Sequence, residues 1–210
     1  MGKILEVLDL GVHFNSRLNF TNHISIIIAQ AKKRLFLLRK SFLSKNLNIL
    51  ILHVGFKTYI IPILEYCSPV WNPHVLTDIN RLESVQRVFT KKLLGFEGLN
   101  YPARLGKAGL DTLELRRLRA DLCLCYNILN GRIDTPVSSF FIFDSSKTRG
   151  HSRKLKILAP RLDSILYFFS HRIVRVWNSL SDKSVSANSI GSFKAFLKLK
   201  SLSKFLKVKS

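Results

Sequence analysis

Apolar residues fall at helical spacing along most of this chain. From Ile24 they recur at Ile27, Ile28, Ala31, Leu35, Leu38 and Phe42, intervals of three and four that draw one apolar stripe. Lys33 and Lys40 lie opposite that stripe, with Lys32 and Arg39 on its flank. Ahead of it the period changes. "LGVHF" and "LNF" flank "NSR", and Val12, Phe14, Leu18 and Phe20 sit at strand spacing, which predicts a short β-hairpin. The fold class expected is therefore mostly α, a helical bundle preceded by a short N-terminal hairpin.

The next apolar run, Leu47–Tyr66, predicts a largely buried second helix that stops or kinks near Pro62. Ser68-Pro69 and Asn72-Pro73 then predict extended or turn geometry. Thr77 is placed to cap a third helix, with Leu82, Val85, Phe89 and Leu93 on its apolar face and Gly95 suiting its end. Arg81, Arg87, Lys91 and Lys92 decorate it. Asp111 and Glu114 form a capping-box pattern, with Leu110 and Leu115 as its staple. The helix they open carries Leu115, Leu118, Leu122, Cys125 and Leu129 on one face, and Gly131 ends it. Arg116, Arg117 and Arg119 stand in its first half, where the helix dipole disfavours cations. Two readings stay open there: an external anion relieves them, or they pair with Glu114 or Asp121.

From Val137 to Arg161 the chain reads as loop, and "KTRGHSRKLK" is dense in Lys, Arg and His around one Gly, a composition suited to phosphate. A helix is expected over Ile165–Leu180. The last stretch, Ser192–Ser210, holds six Lys and no acid, and is expected to be helical at first and frayed at its end. By character the chain divides at 1–22, 23–132, 133–163 and 164–210.

Charge narrows the partners. Lys and Arg number 34 against 13 Asp and Glu, a formal +21 at pH 7. So large an excess attracts polyanions, nucleic acid first and an anionic membrane surface second. No membrane span is expected, because Leu47–Tyr66 is broken by His53, Lys57 and Pro62. Three cysteines, Cys67, Cys123 and Cys125, cannot form a disulfide framework, and no signal peptide is evident at the start. An intracellular location, nucleus or cytoplasm, is expected rather than secretion.

Catalytic chemistry is hard to assemble from these residues. Cys123 and Cys125 on a helix point about 200° apart, so they cannot share an ion. Cys67 and His74 would make an unusual nucleophile pair across two prolines. The eight Asp include no adjacent pair, and no phosphate loop, nucleophile elbow or paired-His zinc motif occurs. No catalytic residue and no metal ligand is assigned. "PILEYCSPVWNPH", residues 62–74, reads as a structural corner in which Pro62, Tyr66 and Trp71 set the path. Base or sugar stacking by Trp71 or Tyr66 is the alternative. Trp177 is read as structural.

Six stretches in order carry a family resemblance: "DLGVHFNSRLNFTNHI", "YIIPILEYCSPVWNPH", "DINRLESVQRVFTKKLLG", "YPARLGKAGLDTLELRRLRADLCLCYNILNG", "KTRGHSRKLK" and "FFSHRIVRVWNSLSDKSVSANSIGSFKAFL". From about Asp9 to Leu197 the chain resembles the C-terminal part of reverse transcriptases of non-LTR retrotransposons, the jockey and CR1-like kind. The resemblance implies a remnant of the end of the palm at 1–22, a thumb-like helical region at 23–132, a basic loop-rich segment at 133–163 and a C-terminal extension at 164–210. One departure is Ser181, where the family has proline. A larger one is that the palm's metal-binding Asp residues have no counterpart here. The parent enzyme is an RNA-directed DNA polymerase using Mg²⁺; this chain is expected to hold no cofactor and to be inactive alone. The residual role expected is binding of RNA or an RNA–DNA duplex through Lys32, Lys33, Lys40, Arg87, Lys91, Lys92, Arg116, Arg117, Arg149, Arg153 and Lys154. The rival expectations are a module that docks on an intact reverse transcriptase, or a translated relic.

Overall fold

The structure, a computed structural model, describes residues 6–41, 53–145 and 150–208. It is mostly helical with a short two-stranded antiparallel hairpin at its start. Its contacts define two compact units, Met1–Arg116 with Lys207–Ser210, and Arg117–Leu206. Those units do not follow the divisions by sequence character at 22, 132 and 163.

The hairpin lies one strand earlier than the alternation suggests. β1 (Glu6–Asp9) pairs with β2 (Val12–Asn15), with Val7 opposite Phe14 and Asp9 opposite Val12. The two-residue turn is Leu10-Gly11, both at positive φ (44° and 82°), the geometry whose twist suits a tight hairpin. Gly11 therefore closes the turn inside the run that read as one strand. "NSR" becomes a side-chain-capped turn instead. The Asn15 side-chain oxygen accepts from the backbone N–H of Arg17 at 3.1 Å and of Asn19 at 2.8 Å.

Helix α1 (Thr21–Ser41) buries the expected stripe, Ile24, Ile27, Ile28, Ala31, Leu35 and Leu38. Phe42 and the start of the predicted second helix lie outside the described residues. That helix comes into view at residues 53–55 as α-helix and then winds wide: Phe56–Ile60 form a π-helical turn, and Ile61 N–H donates to the Phe56 carbonyl. Pro62 follows within α2 (Ile61–Glu65). A proline supplies no N–H and presses on the carbonyl four residues back, and a widened turn relieves both. So Pro62 does not stop the helix, which runs one further turn until Tyr66 takes an extended ψ of 126°.

Cys67 then reverses the chain at φ 53°, and Ser68–Trp71 (α3) make a single helical turn. Of the extended or turn geometry expected at Ser68-Pro69, the chain takes a helical turn and not an extended path. Pro69 stands in the first turn of a helix, where its missing N–H has no intrahelical partner to lose. Asn72, before Pro73, does adopt extended ψ 118°.

Helix α4 (Leu76–Lys91) starts on Val75 with no side-chain cap, so Thr77 lies inside the helix rather than capping it. After α5 (Tyr101–Ala108), α6 runs Leu113–Leu129. Its cap is Thr112, whose hydroxyl accepts from Leu115 N–H at 3.1 Å, in place of the expected Asp111. Glu114 is used elsewhere, accepting from the N–H groups of Lys207 and Val208 at 2.8 and 3.0 Å. Gly131 ends α6 as expected: its φ is 62°, and Arg132 N–H reaches back to the Asn127 carbonyl. The core of the first unit joins β2, α1, the π turn, α3 and α4, and includes a parallel stack of Phe56 on Phe89 with ring centroids 4.0 Å apart.

In the second unit the expected Ile165–Leu180 helix is three short pieces, α7 (Asp163–Leu166), α8 (Phe169–Arg172) and α9 (Val174–Asn178). The break falls at Phe168, which is extended (ψ 152°). Arg172 compensates: it takes up the Tyr167 carbonyl at 3.0 Å and pairs with buried Asp121 through two 2.9 Å bonds. α10 (Asp182–Val185) and α11 (Ile190–Leu199) follow, with Ser189 capping α11 through Ser192 N–H at 3.1 Å.

Candidate nucleic-acid interface

Helix α1 supplies the densest exposed charge. Lys32, Lys33, Arg34, Arg39 and Lys40 are all exposed on it, and Thr21–Ser41 contains no Asp or Glu. Burial of the Ile24-to-Leu38 stripe fixes which way the helix turns, and so presents the cations to solvent. Lys91 and Lys92, at the end of α4, are exposed as well.

The other expected contacts divide differently. Arg87 is half-buried, with its guanidinium 5.0 Å from the Tyr101 ring centroid and Arg104 at 5.6 Å from the same ring. Arg116 is an ion-pair residue: its Nε bonds one Glu65 oxygen and its second guanidinium nitrogen the other at 2.8 Å. That Glu65 bond raises the Arg116 pKa further, against the opposing effect of burial. For Arg116 both open readings are thereby replaced, since its acid comes from a corner 51 residues away rather than from Glu114 or Asp121. Arg117 is fully buried and out of reach of a phosphate.

In the basic loop, Arg149 lies outside the described residues. Arg153 is turned inward. It donates to the Leu129 carbonyl at 2.6 Å and the Asn130 side chain at 2.9 Å, satisfying the C-terminus of α6. Lys154 is half-buried, folded over Gly150. His151 is buried, its Nε2 3.1 Å from the Trp177 carbonyl, and burial lowers its pKa. The described part of this loop is thus knitted into the second unit, and Arg116, Arg117 and Arg153 are corrected from phosphate contacts to internal ones.

The corner at 62–74 is structural at its centre. Trp71 is fully buried, donates from Nε1 to the Tyr66 carbonyl at 2.7 Å, and meets the His23 ring edge-on at 5.3 Å. It cannot stack on a base. Tyr66 is exposed, and its hydroxyl donates to the Leu10 carbonyl at 3.0 Å, pinning the hairpin turn. Trp177 is equally buried, with Nε1 donating to the Arg153 carbonyl at 2.9 Å.

One polar network escaped the sequence reading. Glu83, buried on α4, accepts from the Tyr101 hydroxyl and from Leu113 N–H at 3.0 Å. Gln86 donates to the Tyr101 oxygen at 3.1 Å and the Asp111 carbonyl at 2.9 Å. Burial first, and the Glu83 carboxylate second, push the Tyr101 pKa up, so the phenol stays protonated as a donor. A carboxylate at the N-terminus of α6 is also where the helix dipole favours one. The signal was present in the spacing: Glu83, Gln86 and Thr90 repeat at three and four beside the apolar stripe, and all three are buried.

Burial raises the thiol pKa of both Cys123 and Cys125, which keeps them from acting as thiolates. Among the described residues no three His, Cys, Asp or Glu side chains gather where a metal ion would be held. No helix among them is long and apolar enough to cross a membrane.

Comparison with known proteins adds one relative. An uncharacterized protein of Caenorhabditis elegans is 24% identical over 134 residues, which cover 62% of this chain and 67% of that protein. No family model matches the chain, and no solved structure matches it.

Proposed function

We propose that the chain is the thumb and C-terminal region of a non-LTR retrotransposon reverse transcriptase, without the catalytic palm, and that it binds RNA or an RNA–DNA duplex through phosphates. The observation that carries the binding is α1: five exposed cations on one helix that has no acidic residue. Lys91 and Lys92 extend the set. A row of long basic side chains on a rigid helix follows a phosphate backbone without reading its sequence. The family reading rests on the six ordered stretches, and the helical fold after a short hairpin agrees with it.

The test is a salt titration of binding with a labelled RNA–DNA hybrid, with single-stranded RNA alongside. Saturable binding that favours the hybrid and falls with a log–log slope of several is expected. Replacing Lys33 and Lys40 by Glu should lower the affinity and flatten the slope, whereas no binding at low salt by folded protein overturns the proposal.

A second reading, docking on an intact polymerase, is favoured by Phe36 and Leu37. They are exposed among the same α1 cations, at 66% and 50%. Phe36→Ser with Leu37→Ser would abolish that complex and leave the salt-dependent binding in place. Truncating Trp71 would not separate the readings, because Trp71 lies in the core.

A further inference from the structure

The second unit holds a recess with one apolar and one polar wall. Phe140, Phe141, Ile142, Leu158 and Val174 line its apolar side, and Ser138, Ser139, Lys156, Ser170 and His171 its polar side, around a cavity of about 190 Å³. That is several times the ~30 Å³ a water molecule occupies in the liquid, and enough for a large side chain. The local fold builds it. Phe143 and Leu155 form an antiparallel bridge, Lys156 N–H donates to the Ile142 carbonyl at 2.8 Å, and Phe141 and Phe169 meet edge-on at 5.8 Å beneath.

Around this recess apolar side chains stay in water. Ile142 and Leu158 on its lining are 52% and 44% exposed, and the adjoining Phe143 and Ile157 are exposed as well. The outer face of the following turn, Leu162, Ile165, Leu166 and Phe168, is exposed too. Scattered surface Leu and Ile are ordinary, but a cavity edged by a run of them is how a docking groove looks.

We propose that this groove receives an acidic peptide segment of another protein, anchored by one bulky apolar side chain in the cavity. Charge selects the occupant. Lys156 lines the recess and is exposed, and Arg175, next in sequence to the lining Val174, is exposed too. A second copy of this strongly basic chain would meet like charge there and is disfavoured. The exposed residues are chiefly aliphatic, which suits a polypeptide anchor better than stacked bases. The groove depends on no feature of α1, so it stands or falls separately from nucleic-acid binding.

The probe is a labelled 15-residue peptide with Leu and Phe at positions i, i+3 and i+7 and Glu elsewhere, titrated into the full chain by fluorescence anisotropy at physiological salt. Saturable binding is expected. Ile142→Asp with Leu158→Asp, both at exposed positions, should weaken it about tenfold or more, with circular dichroism and RNA–DNA hybrid affinity unchanged. Ser139→Trp, which fills the mouth of the cavity from a surface position, should do the same. Several results would overturn the proposal: no binding of the Glu peptide to folded protein, equal binding of its Glu-to-Lys counterpart, or unchanged binding by both variants. So would displacement of the peptide by oligouridylate whose own affinity falls in the variants, since that would make the groove a nucleic-acid site.

Discussion

At the scale of single residues, His23 has the sharpest consequence. It is buried against Trp71, its Nδ1 accepts from His13 N–H at 3.4 Å, and its Nε2 has no hydrogen-bond partner among the described residues. Burial, and then the nearby His13, lower its pKa from 6.5 to about 4. The folded chain therefore holds His23 neutral where the unfolded chain takes up a proton. Stability is complete above pH 6.5 and is lost as pH falls towards about 4, by roughly 2–3 kcal/mol for this group. Urea unfolding between pH 7 and pH 4 should show that loss, with burial of His53 and His151 adding to it in the same direction. His23→Gln keeps a polar group at the site and cannot titrate, so its unfolding curve should depend less on pH by that amount. An unchanged pH dependence in the variant would remove His23 as the cause.

At the scale of elements, the decisive contacts join segments remote in sequence. Gly55 lets the helix before the π turn lie against α1: a Cβ there would sit 2.7 Å from Leu38 Cδ1. Alanine normally favours a helix over glycine by about 1 kcal/mol. Here overpacking against a buried Leu38 outweighs that gain, and Gly55→Ala should destabilise by about 1–3 kcal/mol in chemical denaturation. A stabilised variant would mean that the end of the Leu38 side chain turns aside. Arg153 is the counterpart in the second unit. Arg153→Ala leaves the Leu129 carbonyl at the end of α6 without its donor, and should cost roughly 1–3 kcal/mol while leaving hybrid affinity unchanged. Loss of affinity with unchanged stability would return Arg153 to the phosphate contacts.

At the scale of the whole molecule, the excess of 34 cations over 13 acids must be divided between binding and bracing. Only salt and charge reversal separate the two uses. Lys33→Glu with Lys40→Glu should reduce hybrid binding and leave the melting temperature nearly unchanged, because both side chains are exposed. Arg116→Ala should do the reverse, loosening the tie to Glu65 without changing the salt slope. If Arg116→Ala lost affinity in proportion to its one unit of charge, against the four removed by the double variant, net charge alone would govern binding and α1 would have no special part.

Patterns confined to one element are legible in the sequence alone. The α1 stripe was plain because its period is local, and with it the outward direction of Lys32, Lys33 and Lys40. Gly131 was legible for the same reason, a left-handed cap being a property of a few successive residues. The hairpin was foreseen but displaced, since the alternation at Val12 and Phe14 does not say on which side the turn lies. The basic residues were the least legible. Lys33 and Arg117 look alike along the chain, yet one is exposed and the other fully buried. Their difference is set by what packs over them. Hydrophobic period, net charge and the glycine stop at Gly131 act within a few residues of their own position, and these the sequence determined by itself. The fate of Arg116, Arg117, Arg153 and Glu83, and the opening of the apolar groove, depend on Glu65, α6, Tyr101 and the Phe143–Leu155 bridge. Those neighbours arrive only when the chain closes on itself, so the tertiary structure alone decided them.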